Sequence, residues 1–154
     1  MNFISILSNN VLISALIAWA IAQALKVPLE YLHTKKVNWA LLLSPGGMPS
    51  SHSALVSAGA HAIGLVQGFD TPIFALSVIL AIIVIYDATG IRRQAGKHAE
   101  LINAIVLDIA SGRAPEQEKQ EKLREVLGHT PMEAIVGTIL GILTAQIVWL
   151  LVSP

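Results

Sequence analysis

Four long apolar segments constrain the fold of this chain more than any other feature of its sequence. They cover about residues 3–25, 49–66, 71–89 and 131–152. A helix needs roughly 20 mostly apolar residues to cross the hydrocarbon core of a bilayer, and each segment approaches that length. With 54% hydrophobic residues, 13% charged residues and a mean hydropathy of +0.66, the chain is too apolar for an ordinary soluble domain. The sequence therefore predicts a single all-α membrane domain over residues 1–154, a helical bundle with about four transmembrane helices.

The basic residues all fall in the same two stretches between apolar segments, residues 26–48 and 90–130. Loops rich in Lys and Arg stay on the cytoplasmic side of a membrane. We therefore expect both polar loops to be cytoplasmic and both termini to lie on the opposite side, in a bacterial plasma membrane or an organelle membrane. The ten basic residues are Lys26, Lys35, Lys36, Arg92, Arg93, Lys97, Arg113, Lys119, Lys122 and Arg124.

The charge balance and residue usage exclude several classes of partner. Ten basic residues match ten acidic ones, so the chain has no bulk positive charge for binding nucleic acid. The absence of cysteine removes disulfides, thiolate metal sites and cysteine nucleophiles. The histidines lack the short spacings of a metal site, and we expect neither a metal nor another cofactor. Membrane lipids are the expected partners, and the sequence leaves oligomerisation open.

The second polar loop divides into two parts before the last apolar segment. Residues 91–109 place apolar side chains at helical spacing among charged ones, which predicts a cytoplasmic amphipathic helix. Residues 112–128 have charges of mixed sign and predict a solvated linker or short helix. Thr130 and Glu133 have the spacing of a capping box at the start of the last helix. His129 beside them is expected to be a loop histidine without a catalytic role.

A glycine-rich and serine-rich turn over residues 44–53 is the clearest candidate site. Gly46 and Gly47 can adopt backbone angles that are closed to other residues, and Pro49 suits the first turn of a helix. The free N–H groups of Ser50, Ser51 and His52 would then point out of a helix start, where the helix dipole favours an anion. The turn predicts a phosphate site with an acid–base side chain, although an ordinary membrane-helix start has similar residues.

Two ionisable residues are expected at membrane depth, where such groups are functional candidates. Lys26 ends the first apolar segment and could be functional, or it could only anchor the helix by reaching the headgroups. Asp87 follows an apolar run and could support a site, or it could form a salt bridge with Arg92 or Arg93 that fixes the turn. The sequence leaves both alternatives open for each residue.

A second cluster of basic residues covers residues 90–98. Arg92 and Arg93 could hold a phosphate through paired N–H contacts, and His98 could act as nucleophile or base. The neighbouring cations would favour a neutral, nucleophilic ring. Taken alone, the same cluster is also typical of a patch that binds lipid headgroups.

The chain resembles the divergent branch of the type-2 phosphatidic acid phosphatase family, whose wider superfamily includes vanadium-dependent haloperoxidases. The resemblance rests on Gly-Gly-Met-Pro-Ser-Ser-His-Ser-Ala at 46–54, on Leu-Gly-His-Thr-Pro-Met-Glu at 127–133, and on the stretch between them at 86–103, which reads Tyr-Asp-Ala-Thr-Gly-Ile-Arg-Arg-Gln-Ala-Gly-Lys-His-Ala-Glu-Leu-Ile-Asn. It extends over nearly the whole chain.

The resemblance implies roles for several of the candidate residues. Lys26 would hold the phosphate, although the arginine–proline pair that follows this lysine in the superfamily is missing here. His52 would be the general acid, in a Pro-Ser-Ser-His block where the superfamily has Pro-Ser-Gly-His. Arg92 and His98, six residues apart, would be phosphate clamp and nucleophile. The superfamily's aspartate four residues after that histidine is replaced by Ile102, so that Glu100 or Asn103 would have to orient the ring.

These observations predict a phosphatase-like membrane protein with a phosphate site at the cytoplasmic face. It would hydrolyse or bind a phosphorylated lipid, in the first case through a phosphohistidine and without a metal. A second hypothesis is a non-catalytic protein that binds phosphate or lipid headgroups in the same pocket. A third is a helical scaffold or a transporter subunit in which the polar residues line a pathway.

Overall fold

The fold is described from a computed structural model, which covers residue 6 and residues 8–43, 46–112 and 128–152. The described residues form helices and no strands. The predicted linker over 112–128 lies almost entirely outside the described residues. The elements are α1 (Asn10–Thr34), a short 3-10 helix (Trp39–Leu43), α2 (Ser51–Gln67), α3 (Pro72–Thr89), α4 (Ile91–Gly112) and α5 (Pro131–Val152).

Three helical stretches are long and apolar enough to cross a membrane: Asn10–Thr34, Pro72–Asn103 and Pro131–Val152. The structure thus confirms an all-helical protein with membrane-spanning helices. The second predicted span corresponds to α2, which has 17 residues and is about 26 Å long. Three boundaries differ from the expected ones. The helix α1 begins at Asn10 rather than near residue 3 and continues to Thr34, which places Lys26 inside it, and α2 begins at Ser51 rather than at Pro49.

Small residues bring α1, α2 and α5 into close contact. The buried core consists of alanines, whereas most of the large apolar side chains point outward, as expected where lipid is the solvent. On α5, Gly137 and Gly141 lie one turn apart and face the backbone of α2. A Cβ atom on Gly141 would collide with the carbonyl oxygen of Ala54, so the two helices approach to backbone contact there. The core alanines are Ala18, Ala22, Ala54, Ala58, Ala62 and Ala145.

Side-chain caps fix the two helix starts that matter for the site. Ser50 caps α2, since its Oγ accepts hydrogen bonds from the Ser53 amide at 3.3 Å and from the Ser53 hydroxyl at 3.0 Å. The predicted capping box at the start of α5 is confirmed. The Glu133 amide donates to Thr130 Oγ1 at 3.3 Å, and the Thr130 amide donates to Glu133 Oε2 at 3.2 Å. Both helices therefore start at fixed positions at the same end of the bundle.

The segment before the glycine turn is tied to α1. The Gln23 side-chain amide donates to the carbonyl of Leu42 at 2.6 Å, within the short 3-10 helix. Trp39 and Leu43 in this helix are 70% and 90% exposed, and its five residues are too few to cross a bilayer. This hydrogen bond holds the segment before the glycine turn beside the second half of α1.

The predicted helix after the third span is present as α4, and a single residue, Gly90, separates it from α3. The Gly90 amide still donates to the Tyr86 carbonyl at 2.8 Å. Within the described part of the chain, α4 packs against α3 and against no other helix. The position of α4 relative to the rest of the bundle is thus set by its contact with α3.

Candidate functional site

The candidate site lies where α2 and α5 begin and where α1 passes the glycine turn. We call it the helix-start cluster and define it as Lys26, Gly47, Ser51, His52, His129 and Glu133. Gly47 has φ of 90°, a left-handed conformation that few non-glycine residues adopt, and this confirms that the turn requires its glycine. The turn then leads through Ser50 into the first residues of α2.

The start of α2 offers fewer free amides than the sequence predicted. The Ser50 amide, expected to be available to an anion, donates instead to the main-chain carbonyl of Glu133 at 3.0 Å. The Ser53 amide is satisfied by the Ser50 cap. As the first residue of the helix, Ser51 keeps an amide that has no acceptor within α2. The anion-binding capacity of this helix start therefore begins one residue later than expected.

Lys26 is the most deeply buried charged side chain of the cluster, with 1% of its surface exposed. Its methylene carbons lie against Gly47, because a Cβ added to that glycine would be 3.8 Å from Lys26 Cδ. The carboxylate of Glu133 interacts electrostatically with the lysine ammonium. The burial contradicts the alternative that Lys26 merely anchors α1 at the headgroups. Lys26 and Glu133 both line a cavity of about 250 Å³. The other lining residues are Leu29, Glu30, His33, Leu41, Gly47, Met48 and Thr130.

His129, which the sequence analysis set aside as a loop histidine, is part of the cluster. It is 2% exposed, and its Nδ1 atom is 2.9 Å from Glu133 Oε2. Its other ring nitrogen, Nε2, is buried and has no hydrogen-bond partner in the described structure. The ring packs edge-on against that of His52, with centroids 6.1 Å apart and planes at 61°. A carboxylate on Nδ1 fixes the ring's orientation and directs Nε2 toward another partner.

The sequence contains a signal for this pair. Glu133 lies four residues after His129, which is the histidine–carboxylate spacing in the third motif of the family that the chain resembles, but Leu123 stands where that motif has its arginine. This spacing was missed because Glu133 was already explained as part of a capping box. The structure shows that the Glu133 carboxylate both caps α5 and contacts the histidine, since its Oε2 atom is bonded to the His129 ring and to the Thr130 amide.

His98, the nucleophile predicted from the sequence, does not line the cavity beside the helix-start cluster. His98 is exposed and lines a separate depression with Tyr86, Gly90, Gln94 and Ala95. Because α4 does not pack on α2 in the described structure, it does not bring His98 next to His52. Of the three predicted supporting residues, Asp87 is half-buried at the end of α3, Glu100 is exposed on α4, and Asn103 is 8% exposed there. The side chains of Arg92 and Arg93 lie outside the described part of the chain.

The conformation of Gly47 gives a first prediction. Gly47→Ala should destabilise the protein by roughly 1–2 kcal/mol, because an alanine pays this cost in the left-handed region. Steric crowding does not contribute, since the nearest atoms to the new Cβ would be at 3.8 and 3.9 Å. The midpoint temperature for heat-induced loss of monodisperse protein in detergent measures the effect. An unchanged midpoint would show that the turn does not hold this conformation.

Comparison with known proteins agrees with the membrane character of the chain. The sequence model described as "Divergent PAP2 family" matches residues 7–144. An uncharacterized membrane protein of Bacillus subtilis (strain 168), YuiD, is 44% identical over 146 residues, which cover 90% of this chain and 92% of that protein. No solved structure matches the chain.

Proposed function

Because this chain belongs to the divergent PAP2 family, we propose that it is an integral membrane protein that hydrolyses a phosphorylated lipid at the helix-start cluster. The observation that carries the proposal is the state of the His129 ring. Nδ1 is held by Glu133, while Nε2 is buried without a hydrogen bond. A ring nitrogen in this state retains its lone pair for a new bond when the proton is on Nδ1, as a nucleophile requires.

The proposed reaction has two steps. His129 Nε2 attacks phosphorus and the bond from phosphorus to the lipid oxygen breaks, while His52 donates a proton to the leaving alkoxide. Water then attacks the phosphohistidine, which releases phosphate and restores His129. Lys26 and the Ser51 amide would bind the non-bridging oxygens. Glu133 would orient the ring and stabilise positive charge that develops on it.

The charges around the cavity favour a particular placement of the phosphate. Glu30 and Glu133 both line the 250 Å³ cavity with Lys26, so the cavity as a whole does not favour an anion. The phosphate is therefore better placed at the start of α2, between the lysine and the two histidines, than in the middle of the cavity. There the helix dipole adds to the attraction.

The proposal includes a membrane orientation. With α2 as a fourth, short span, the helix-start cluster lies at the cytoplasmic face and both termini lie on the opposite side. The distribution of the ten basic residues supports this arrangement. A substrate could then keep its hydrocarbon part in the bilayer while its phosphate reaches the cluster.

A second candidate function is binding of a lipid phosphate without hydrolysis. It is favoured by the burial of His129 Nε2, because a phosphate can reach that atom only if the side chains that cover it move. If they do not move, Lys26 and the helix start can still bind an anion. The two functions differ in whether phosphate is released.

Phosphate release from purified protein in detergent tests the proposal. We expect release from at least one lipid phosphate monoester or diphosphate, inhibition by vanadate as a transition-state mimic, and a loss of about 100-fold or more in His52→Ala. His98→Ala should keep its activity, since His98 is remote from the cluster. Binding of a lipid phosphate with no release would reject hydrolysis in favour of the second function. Loss of activity in His98→Ala alone would reject the placement of the site.

A further inference from the structure

Two cavities lie end to end between α3 and α5, outside the helix-start cluster. They have volumes of about 240 and 290 Å³ and share Ile85 and Thr138. They exist because α3 and α5 each pack closely on α2 and hardly touch one another. We call them together the α3–α5 groove. The remaining lining residues are Ser57, Ala60, His61, Phe74, Val78, Ala81, Ile82, Thr89, Pro131, Ala134, Ile135, Ile139 and Ile142.

One end of the groove adjoins the helix-start cluster. Thr89 and Pro131 line this end. His129 lies beside them, since its amide donates to the carbonyl of Ala88 at 2.8 Å. From Thr89 the groove follows α3 to Phe74, which is 15 residues or about 22 Å along the helix. The groove therefore leads from the catalytic histidine into the apolar part of the bundle.

The walls of the groove suit a hydrocarbon chain. They are mostly aliphatic, and Ile82 and Ile139 are 60% and 53% exposed, so the groove opens toward the surface that faces lipid. An apolar void beside a bilayer loses the dispersion contacts that a chain would supply. A chain of the surrounding lipid, or of a bound substrate, is therefore the physically favoured occupant.

Two hydroxyl groups in the groove narrow the choice of occupant. Other hydroxyls in the spans bond to a main-chain carbonyl of their own helix, as Ser14, Ser77 and Thr144 do at 2.7 to 2.8 Å. Within the described part of the chain, Ser57 and Thr138 make no such bond, and Ser57 is only 6% exposed. A hydroxyl that lines an apolar groove and has no protein partner keeps its hydrogen-bonding capacity unused, and an oxygen atom on a ligand would satisfy it.

The position of these hydroxyls matches a particular part of a lipid. Ser57 lies five residues after His52, and Thr138 lies five residues after Glu133, which places both about 8 Å deeper than the site of the phosphate. In an acyl lipid phosphate, the ester carbonyl lies a few bonds from the phosphate, just before the hydrocarbon chain begins. Beyond the two hydroxyls the groove continues along apolar residues as far as Phe74, as the hydrocarbon chain of such a lipid continues beyond its ester.

We propose that the α3–α5 groove binds the acyl chain of the lipid whose phosphate occupies the helix-start cluster, and that Ser57 and Thr138 bind the ester carbonyl of that chain. The inference rests on the proposed function for the position of the phosphate. Recognition of the chain, however, does not require that the phosphate be cleaved.

Photo-crosslinking tests the groove in the full-length protein. The probe is an acyl-glycerol phosphate with a diazirine in the middle of its acyl chain, and labelled peptides are identified by mass spectrometry. We expect labels within residues 72–89 and 131–152 that an excess of unlabelled lipid removes. Ala81→Phe should lower this labelling about tenfold because its ring fills the groove. Ala75→Phe, the same change at an exposed position of α3, is the matched control.

A second filling variant and a second probe keep the result unambiguous. Ala81 is 7% exposed, so monodisperse elution must show that Ala81→Phe folds. Ile85→Trp is the second filling variant, because Ile85 lies where the two cavities meet. A probe with an ether in place of the ester should label the wild type about fivefold less, and Ser57→Ala should remove this preference. Equal labelling by both probes would overturn the role of the hydroxyls.

The labelling separates failure of the groove from failure of hydrolysis. A wild-type protein that releases no phosphate but is labelled in the groove rejects hydrolysis and supports the groove. The groove proposal is rejected, and hydrolysis is left intact, if the protein releases phosphate but is labelled outside the groove. The same holds if it releases phosphate and both filling variants are labelled as strongly as the control.

Discussion

His129→Ala is expected to lower phosphate release from a lipid phosphate by at least about a thousandfold, since it removes the nucleophile of the proposed reaction. Glu133→Gln should have a smaller effect, about 10- to 100-fold, because an amide oxygen can still accept from Nδ1 but cannot stabilise positive charge on the ring. Both losses should appear in kcat. The measurement is initial phosphate release by purified protein in detergent, with the elution profile as the check on folding.

The covalent intermediate offers a more direct test of the same residue. Rapid quenching during turnover should trap a phosphate on His129, and mass spectrometry should identify it there. His98→Ala is the matched control, because it removes a histidine that lies outside the cluster, and its adduct should be unchanged. Phosphate found on His98, or full activity in His129→Ala, would show that the nucleophile has been assigned to the wrong histidine.

Gly141→Ala is expected to destabilise the protein by about 2 kcal/mol, which corresponds to roughly 5 °C in the midpoint of thermal unfolding. The added Cβ would collide with the Ala54 carbonyl oxygen and lie 3.0 Å from both Ala54 Cα and Ala58 N. All of these atoms belong to the backbone or are fixed to it, so the whole of α5 must move away from α2. Thermal unfolding in detergent, followed by loss of monodisperse protein, measures the shift.

Gly59→Ala is the control for this prediction. It makes the same substitution in α2, but its Cβ would meet only Ala15 Cβ at an ordinary 3.8 Å. It should leave the midpoint unchanged or raise it slightly, since alanine is the better helix former. If both variants unfolded at the wild-type temperature, the close approach of α2 and α5 would be wrong.

The features that the sequence predicted depend on nearby residues, and those it missed depend on tertiary contacts. Apolar runs identify helices because each run is continuous along the chain, and the Thr130–Glu133 capping box lies within four residues. By contrast, α1 was expected to end near Leu25 because a lysine follows. It continues because Lys26 is buried against Gly47 and Glu133, which come much later in the sequence.

In the candidate site, too, the features set by nearby residues were predicted and those set by tertiary contacts were not. The glycine turn and His52 were recognised from a local motif, and Gly47 has the predicted type of conformation. The choice between His98 and His129 could not be made in this way, because each has only half of the family motif: His98 has the arginine six residues before it, and His129 has a carboxylate four residues after it. It depends on which helix packs beside α2, and that helix is α5 rather than α4.

The double role of Glu133 has a consequence for how activity could be gained or lost in this architecture. Its main-chain carbonyl accepts from Ser50 and holds the start of α2, while its side chain holds the His129 ring. Any substitution by an ordinary residue keeps the first interaction and removes or weakens the second. If the proposed reaction holds, a single substitution at Glu133 would therefore convert a hydrolase into a binder while the backbone contact between the starts of α2 and α5 stays in place.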